Sequence, residues 1–296
     1  MSTHAVVTME RMPTYFVSHG GGPWPWMKDT FGSMFDRLEK SLQQMARSLA
    51  ERPKAILIIS AHWTRTAFTL STHPTPPMYY DYSGFPEKTF RIKYSASGSP
   101  ALAERISALL AANDIAADQD PHRGFDHGVF TVLAVAFPEA DIPVVQLSLR
   151  EDCDPAAHIE LGRALAPLRD EGILIIGSGM TYHNLRKLNS DGATPSRQFD
   201  AWLQKVLTTT SASERGEQLI SWTDAPAARL VHPHPDHLLP LMVAVGAASD
   251  DPGTCVYHED AMFGSITVSS FRFGHVVDRH TAHSQIADRS RGRRRL

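Results

Sequence analysis

Cysteine is scarce. Only Cys153 and Cys255 occur among 296 residues, too few for a disulfide framework, and a reducing, cytoplasmic compartment is expected. Long apolar runs are missing as well. No stretch approaches the ~18 residues that span a bilayer, so no membrane contact is expected. The opening MSTHAVVTMERMP lacks the apolar centre of a secretory signal. Positive charge is not in excess: the net charge is −3, which removes the electrostatic ground for nucleic-acid binding. One basic cluster, RSRGRRRL, lies past the last periodic segment. It belongs to a stretch, 276–296, that reads as a disordered basic tail. Residues 1–12 read as a flexible N-terminus. Internal repeats and low-complexity linkers are also lacking, which leaves one domain over 13–275.

What the chain does contain is an alternation of short apolar runs and helical patterns. Apolar residues make up 42% and charged residues 21%, enough for a sizeable core. TYFVSH (14–19), KAILIISAHW (54–63), FTLST (68–72), IPVVQLSL (142–149) and GILIIGSG (172–179) read as strands. The near-continuous apolar character of several suits burial on both faces. Residues 31–50, 99–113, 154–169, 196–209 and 235–248 carry helical spacing, with Ser-Pro or Asp-Pro starts at two of them. GVFTVLAVAF (128–137) reads as an apolar helix, with a strand as the alternative. TCVYHE and SITVSSFRFG read as a closing hairpin. The pattern predicts an α/β fold: three α/β/α layers around a mainly parallel mixed sheet. The irregular stretch 73–98 is too long for a plain connection. Its aromatics, Tyr79, Tyr80, Tyr82, Phe85 and Phe90, suggest an ordered loop forming one wall of a pocket.

Histidine is abundant, at 15 residues, and its placement is patterned. FVSHGGGPWPW sets His19 at a strand tip before three glycines, which would let backbone approach a site closely or simply make a turn. SAHW ends a strand on His62, and GSGMTYHN sets His183 just past another. Ligands of open α/β sheets bind outside the carboxyl ends of the strands, so three histidines delivered there would converge. His127 in GFDHG precedes one helix, and His232, His234 and His237 in HPHPDH open another. His4, His73, His158, His275, His280 and His283 stand outside this pattern, and His122 and His258 stay unassigned. Trp24, Trp26 and Trp63 fit either an aromatic pocket wall or the core.

The ordered set SHGGGP, SAHW, GFDHGVF, VVQLSL, GSGMTYHNL, HPDHLLPL and GSIT, spanning about residues 13–274, resembles the class III extradiol ring-cleavage dioxygenases, in the DOPA 4,5-dioxygenase-like branch (LigB-like). The resemblance implies a single catalytic domain over 13–275. It also implies a non-haem Fe(II) enzyme that opens a small aromatic diol, a catechol, with dioxygen. Carried over by position, it makes His19, His62 and His237 metal ligands, with His234 in reserve for His237. His183 becomes the base that takes a catechol proton, and His127 a group that hydrogen-bonds dioxygen or donates a proton. Non-haem iron oxygenases commonly pair two histidines with one carboxylate; here a histidine stands at the carboxylate position. Asp236, Glu259 and Asp126 are the nearest carboxylates, Asp236 ranking low because it adjoins His237. Three neutral histidines also match catalytic zinc sites, so Zn(II) is a second expected occupant. Two alternatives follow: a zinc-dependent hydrolase on the same site, and a non-catalytic metal-binding protein on the same fold.

Overall fold

The apolar runs become the middle of one sheet. The computed structural model describes residues 11–275; residues 1–10 and the basic stretch 276–296 lie outside the described residues. Eight strands, β1 (Thr14–Ser18), β2 (Ala55–Arg65), β3 (Phe68–Ser71), β4 (Ala117–Asp120), β5 (Val144–Arg150), β6 (Ile173–Gly179), β7 (Gly253–Met262) and β8 (Ile266–Phe273), lie in the order β4-β3-β5-β2-β6-β1-β8-β7. The central four, β5, β2, β6 and β1, are mutually parallel. β3 runs antiparallel to β5, and β8 antiparallel to both β1 and β7. The sheet is mixed around a parallel centre. Every residue of β1 and β6 is buried, as expected of strands covered on both faces.

Nine α-helices occur among the described residues: α1 (Lys28–Phe31), α2 (Asp36–Arg47), α3 (Pro100–Ala111), α4 (His127–Ala136), α5 (Pro155–Leu165), α6 (Ser190–Thr209), α7 (Ala212–Ile220), α8 (Ala228–Val231) and α9 (Leu239–Ala248). Successive strand residues face opposite sides, and β6 shows what covers each side. Ser178 donates its hydroxyl to the Gly128 carbonyl of α4 at 2.5 Å. A Cβ on its neighbour Gly177 would fall 2.3 Å from the Pro240 carbonyl of α9. α4 and α9 therefore sandwich the sheet, giving three layers.

Several elements depart from the sequence reading. The helix expected over 31–50 is two, because Gly32 turns the chain with φ +54°. The helix expected from Pro235 begins only at Leu239; 235–238 is a turn. β4, α7 and α8 have no counterpart in the sequence pattern. The sequence of β4, ADQD, has no apolar alternation to announce an edge strand. GVFTVLAVAF is helical, within α4. The 73–98 stretch is ordered by its own aromatics. Tyr80 and Tyr82 donate their hydroxyls to the Ile92 and Thr89 carbonyls, both at 2.6 Å.

Candidate active site

Five histidines meet at the carboxyl end of the parallel strands. β1 ends at Ser18 and hands over His19, which is 2% exposed. Its backbone is pinned from two sides. Its N–H donates to the Gly179 carbonyl at 3.1 Å, and its carbonyl accepts the Trp24 indole N–H at 2.8 Å. Trp24 is thus a buried anchor, stacked on Phe35. The glycines after His19 serve the same packing: Cβ atoms on Gly20 and Gly22 would meet the rings of Trp24 and Phe85 at 2.6 Å. They make room for aromatic rings and turn the chain at positive φ.

His62 lies inside β2, three residues before its end. The pairing of β2 with β5 shifts register between Ile59 and Thr64, and such bulges re-aim side chains. His237 arrives on the turn before α9. Its carbonyl accepts the Met180 N–H at 3.0 Å. A Cβ at Gly179 would lie 2.2 Å from that carbonyl, so glycine there permits the approach. His183 follows β6 by four residues, its N–H donating to the Val231 carbonyl at 3.1 Å. His127 is the first residue of α4.

The ring geometry is specific. His62 Nε2 lies 3.3 Å from His19 Nε2 and 3.3 Å from His237 Nε2. The Nδ1 atoms point away to oxygen: His19 to the Gly20 carbonyl at 3.0 Å, His237 to Asp236 Oδ2 at 2.7 Å. His62 Nδ1 is 3.3 Å from Asp81 Oδ2. A ring that donates from Nδ1 carries a lone pair on Nε2, so His19 and His237 each aim a lone pair at His62 Nε2. Ring nitrogens of His19, His62 and His127 form a candidate group within 4.8 Å, as do donor atoms of His183, Asp236 and His237. The 3.3 Å His62–His237 contact joins the two groups. His127 approaches His62 with ring centroids 3.9 Å apart, and His183 stacks on His237 at 3.3 Å and 13°.

Burial, reinforced by neighbouring imidazoles, holds the pKa of His19, His62 and His237 well below the ordinary histidine value. Burial also lowers that of His183, against the opposing pull of Asp236. His19, His62, His183 and His237 are therefore neutral near pH 7, the state in which imidazole accepts a cation.

The carboxylates differ from expectation. Asp126 is fully buried and committed elsewhere. It accepts Ser60 Oγ at 2.7 Å, Arg123 Nη2 at 2.6 Å and the Gln146 amide. Burial, with Asp81 nearby, raises its pKa. Glu259 sits on β7 beside Arg37, 3.2 Å away. Asp236 orients His237 through Nδ1. The residue that the sequence reading missed is Asp81, from the long aromatic segment. Its Oδ1 accepts the His127 backbone N–H and its Oδ2 the His127 Nδ1–H, both at 2.9 Å. His234 is exposed and lines a cleft of about 750 Å³ with His183, Asp236, Asn184, Arg186 and Lys187.

Trp63 lies under Arg123, whose guanidinium carbon is 4.9 Å from the ring centroid. Trp26 packs 5.9 Å from Phe130. His158 and His232 are core residues, bonded to backbone through Arg150 N and the Thr181 carbonyl. His258 lies on β7 among Asp200, Asp260 and Ser269.

Comparison with known proteins agrees with this geometry. The family model of the catalytic LigB subunit of aromatic ring-opening dioxygenase matches residues 13–274. A Beta vulgaris protein named 4,5-DOPA dioxygenase extradiol is 40% identical over 265 residues, 88% of this chain and 96% of that protein. An Escherichia coli K12 protein of the same name is 35% identical over 273 residues, 91% and 97% of the two chains. A crystal structure of an uncharacterised protein from Escherichia coli K12 superposes with TM-score 0.72 at 34% identity, covering 89% of this chain and all of that one. A match along nearly the whole domain, with the histidines gathered where the sheet delivers them, makes this chain a member of the LigB family of aromatic ring-opening dioxygenases.

Proposed function

We propose that the protein is an extradiol dioxygenase that opens a substituted catechol with dioxygen at a metal held by His19, His62 and His237. The observation that carries the reading is the Nε2 geometry. Metal–nitrogen bonds of ~2.1 Å at angles of about 90–110° put donor nitrogens about 3.0–3.4 Å apart. The His62 Nε2 atom is 3.3 Å from both of the others. Ring nitrogens facing one another at that spacing need a proton or a cation between them, and the three-imidazole donor set fits a divalent metal. His127 also offers a ring nitrogen within 4.8 Å of those of His19 and His62; it is assigned to proton handling because its Nδ1–H is held by the Asp81 carboxylate and the motif resemblance gives it that role.

Fe(II) is the metal in function, with Zn(II) a competing occupant, since the intrinsic order of affinities favours zinc. Bound iron supplies a redox-active centre that brings catechol and dioxygen together. The chain's own residues handle binding and protons. The cleft beside His183 falls within the size range of small-molecule sites and accommodates a substituted ring. His183, neutral and stacked on His237, takes a catechol hydroxyl proton. His127 donates from Nδ1 to Asp81, which leaves Nε2 to accept a proton and return it, with the Asp81 carboxylate stabilising the cation. Residues 13–275 form the catalytic domain. The two free cysteines support a cytoplasmic setting.

The test loads metal-free protein anaerobically with Fe(II) or Zn(II). Each form is assayed with dihydroxyphenylalanine and simpler catechols under air and argon. The iron form in air consumes oxygen and yields a yellow ring-opened product, and the zinc form binds catechols without opening them. Ester or amide turnover by the zinc form under argon, with no oxygen uptake by the iron form, would overturn the reading in favour of a hydrolase.

A further inference from the structure

Asp81 has three contacts, and together they tie two histidines of different role to one carboxylate. Oδ1 accepts the backbone N–H of His127, the first N–H of α4, and Oδ2 accepts the His127 ring Nδ1–H, both at 2.9 Å. The same Oδ2 stands 3.3 Å from His62 Nδ1, an ion-pair distance outside hydrogen-bond geometry, close enough for the carboxylate to favour the proton on that nitrogen. Asp126, which precedes α4, makes no side-chain cap bond; its oxygens serve Ser60, Arg123 and Gln146. Asp81 thus takes over an unpaired donor at the positive end of α4. It comes from the 73–98 segment, 46 residues upstream, and its side chain is only 10% exposed.

The geometry points to Asp81 as a positioning residue that sets the tautomers of both His62 and His127, so that each turns an unprotonated Nε2 toward the centre. This rests on the reading of His62 as a ligand. An imidazole that donates from Nδ1 to a carboxylate is a better metal ligand, because its tautomer is fixed and its basicity raised. His237 shows the tighter form of this pairing, its Nδ1 hydrogen-bonded to Asp236 at 2.7 Å. Two of the three proposed ligands are therefore backed by carboxylates, which returns negative charge to a site that has no carboxylate ligand. Asp236 serves one ring; Asp81 serves a ligand and a proton-handling group together.

Asp81→Asn keeps the shape and breaks the function. An amide has one acceptor oxygen. If that oxygen faces the two rings, the NH2 group meets the α4 N–H, donor against donor. If it faces the helix, the NH2 group donates to the Nδ1 atoms and drives the proton onto Nε2, where the metal must bind.

The experiment reads histidine tautomers by 15N NMR in metal-free protein and Zn(II) affinity by chelator competition. In the unaltered protein both His62 and His127 carry the proton on Nδ1. Asp81→Asn weakens Zn(II) binding by roughly 10–100-fold and moves both tautomers. Asp236→Asn also weakens Zn(II) but leaves those two rings unchanged. A proton on Nε2 of either ring in the unaltered protein overturns the inference, as does Zn(II) affinity in Asp81→Asn within about twofold of the original. Should Asp81→Asn fail to fold, the tautomers of the unaltered protein decide alone. Absence of any Zn(II) binding by the unaltered protein would instead strike the metal reading, which the tautomer spectrum does not depend on.

Discussion

The two ends of the parallel sheet bury polar groups in opposite ways. At the amino end of the strands, Arg169 and Arg215 are 1% and 2% exposed. Arg169 donates Nε to the Met12 carbonyl at 2.6 Å and Nη1 to the Ala247 and Ala248 carbonyls at 2.9 and 3.1 Å, and pairs with Asp251 through Nη2. Arg215 donates to the Asp251 and Ser249 carbonyls, both at 3.0 Å. Arg169 closes the last turn of α9, where carbonyls lack helical partners, and Arg215 holds the carbonyls just past it. At the carboxyl end, His19, His62 and His237 are buried with nitrogens facing nitrogens. The amino end is satisfied largely from within the chain, Arg215 Nε being the exception, and holds the fold. The other sets imidazole nitrogens 3.3 Å apart with one another as nearest partners, an arrangement suited to a divalent cation.

That contrast breaks most sharply at the proposed ligands. His19→Ala, His62→Ala or His237→Ala should remove divalent-metal binding and ring opening together, as metal analysis and oxygen uptake would register. The same changes should cost the metal-free protein less stability than a change at the far end. Arg169→Ala should do the converse, lowering unfolding free energy by about 3–5 kcal/mol, the usual cost of stranding a buried charge's partners. Denaturant melts would measure it, and metal content per folded molecule should stay unchanged. Between these extremes, His183→Ala should keep its metal and slow ring opening by ~10²-fold or more; loss of metal instead would make His183 a ligand.

The smallest expected effect involves pH and sharpens the comparison from within the core. His158 is buried, donates Nδ1–H to the Asp154 carbonyl and accepts the Arg150 N–H on Nε2. Burial brings its pKa from 6.5 to about 4. The unfolded chain therefore binds this proton first as acid is added. Its contribution is complete above about pH 6.5 and falls as pH drops toward 4, by about 1 kcal/mol at about pH 5.5. Replacing His158 with Gln, a neutral group that retains a donor and an acceptor, should flatten that part of the stability–pH curve.

The strand-end histidines were legible because parallel strands deliver their carboxyl ends to one edge, and the runs ending near His19, His62 and His183 announced themselves by unbroken apolar character. The gathering of His237 came through a motif, not periodicity: its segment is a turn, and only Gly179 reveals that a backbone must pass close by. Asp81 was hidden for a different reason. Asp126 stands where a helix cap should stand, so the sequence supplied a local answer, while the real acceptor lies in an aromatic loop whose path no spacing encodes. β4 was hidden because an edge strand of polar residues has no pattern to read.

Everything proposed for the site turns on which nitrogens hold the metal. Anomalous diffraction at the iron or zinc edge, from crystals loaded with that metal, tests it directly. The expected result is one peak within ~2.0–2.3 Å of the Nε2 atoms of His19, His62 and His237, with His127 and His183 outside bonding distance. A peak bonded to His127 in place of His237, or seated between His183 and Asp236, would contradict it.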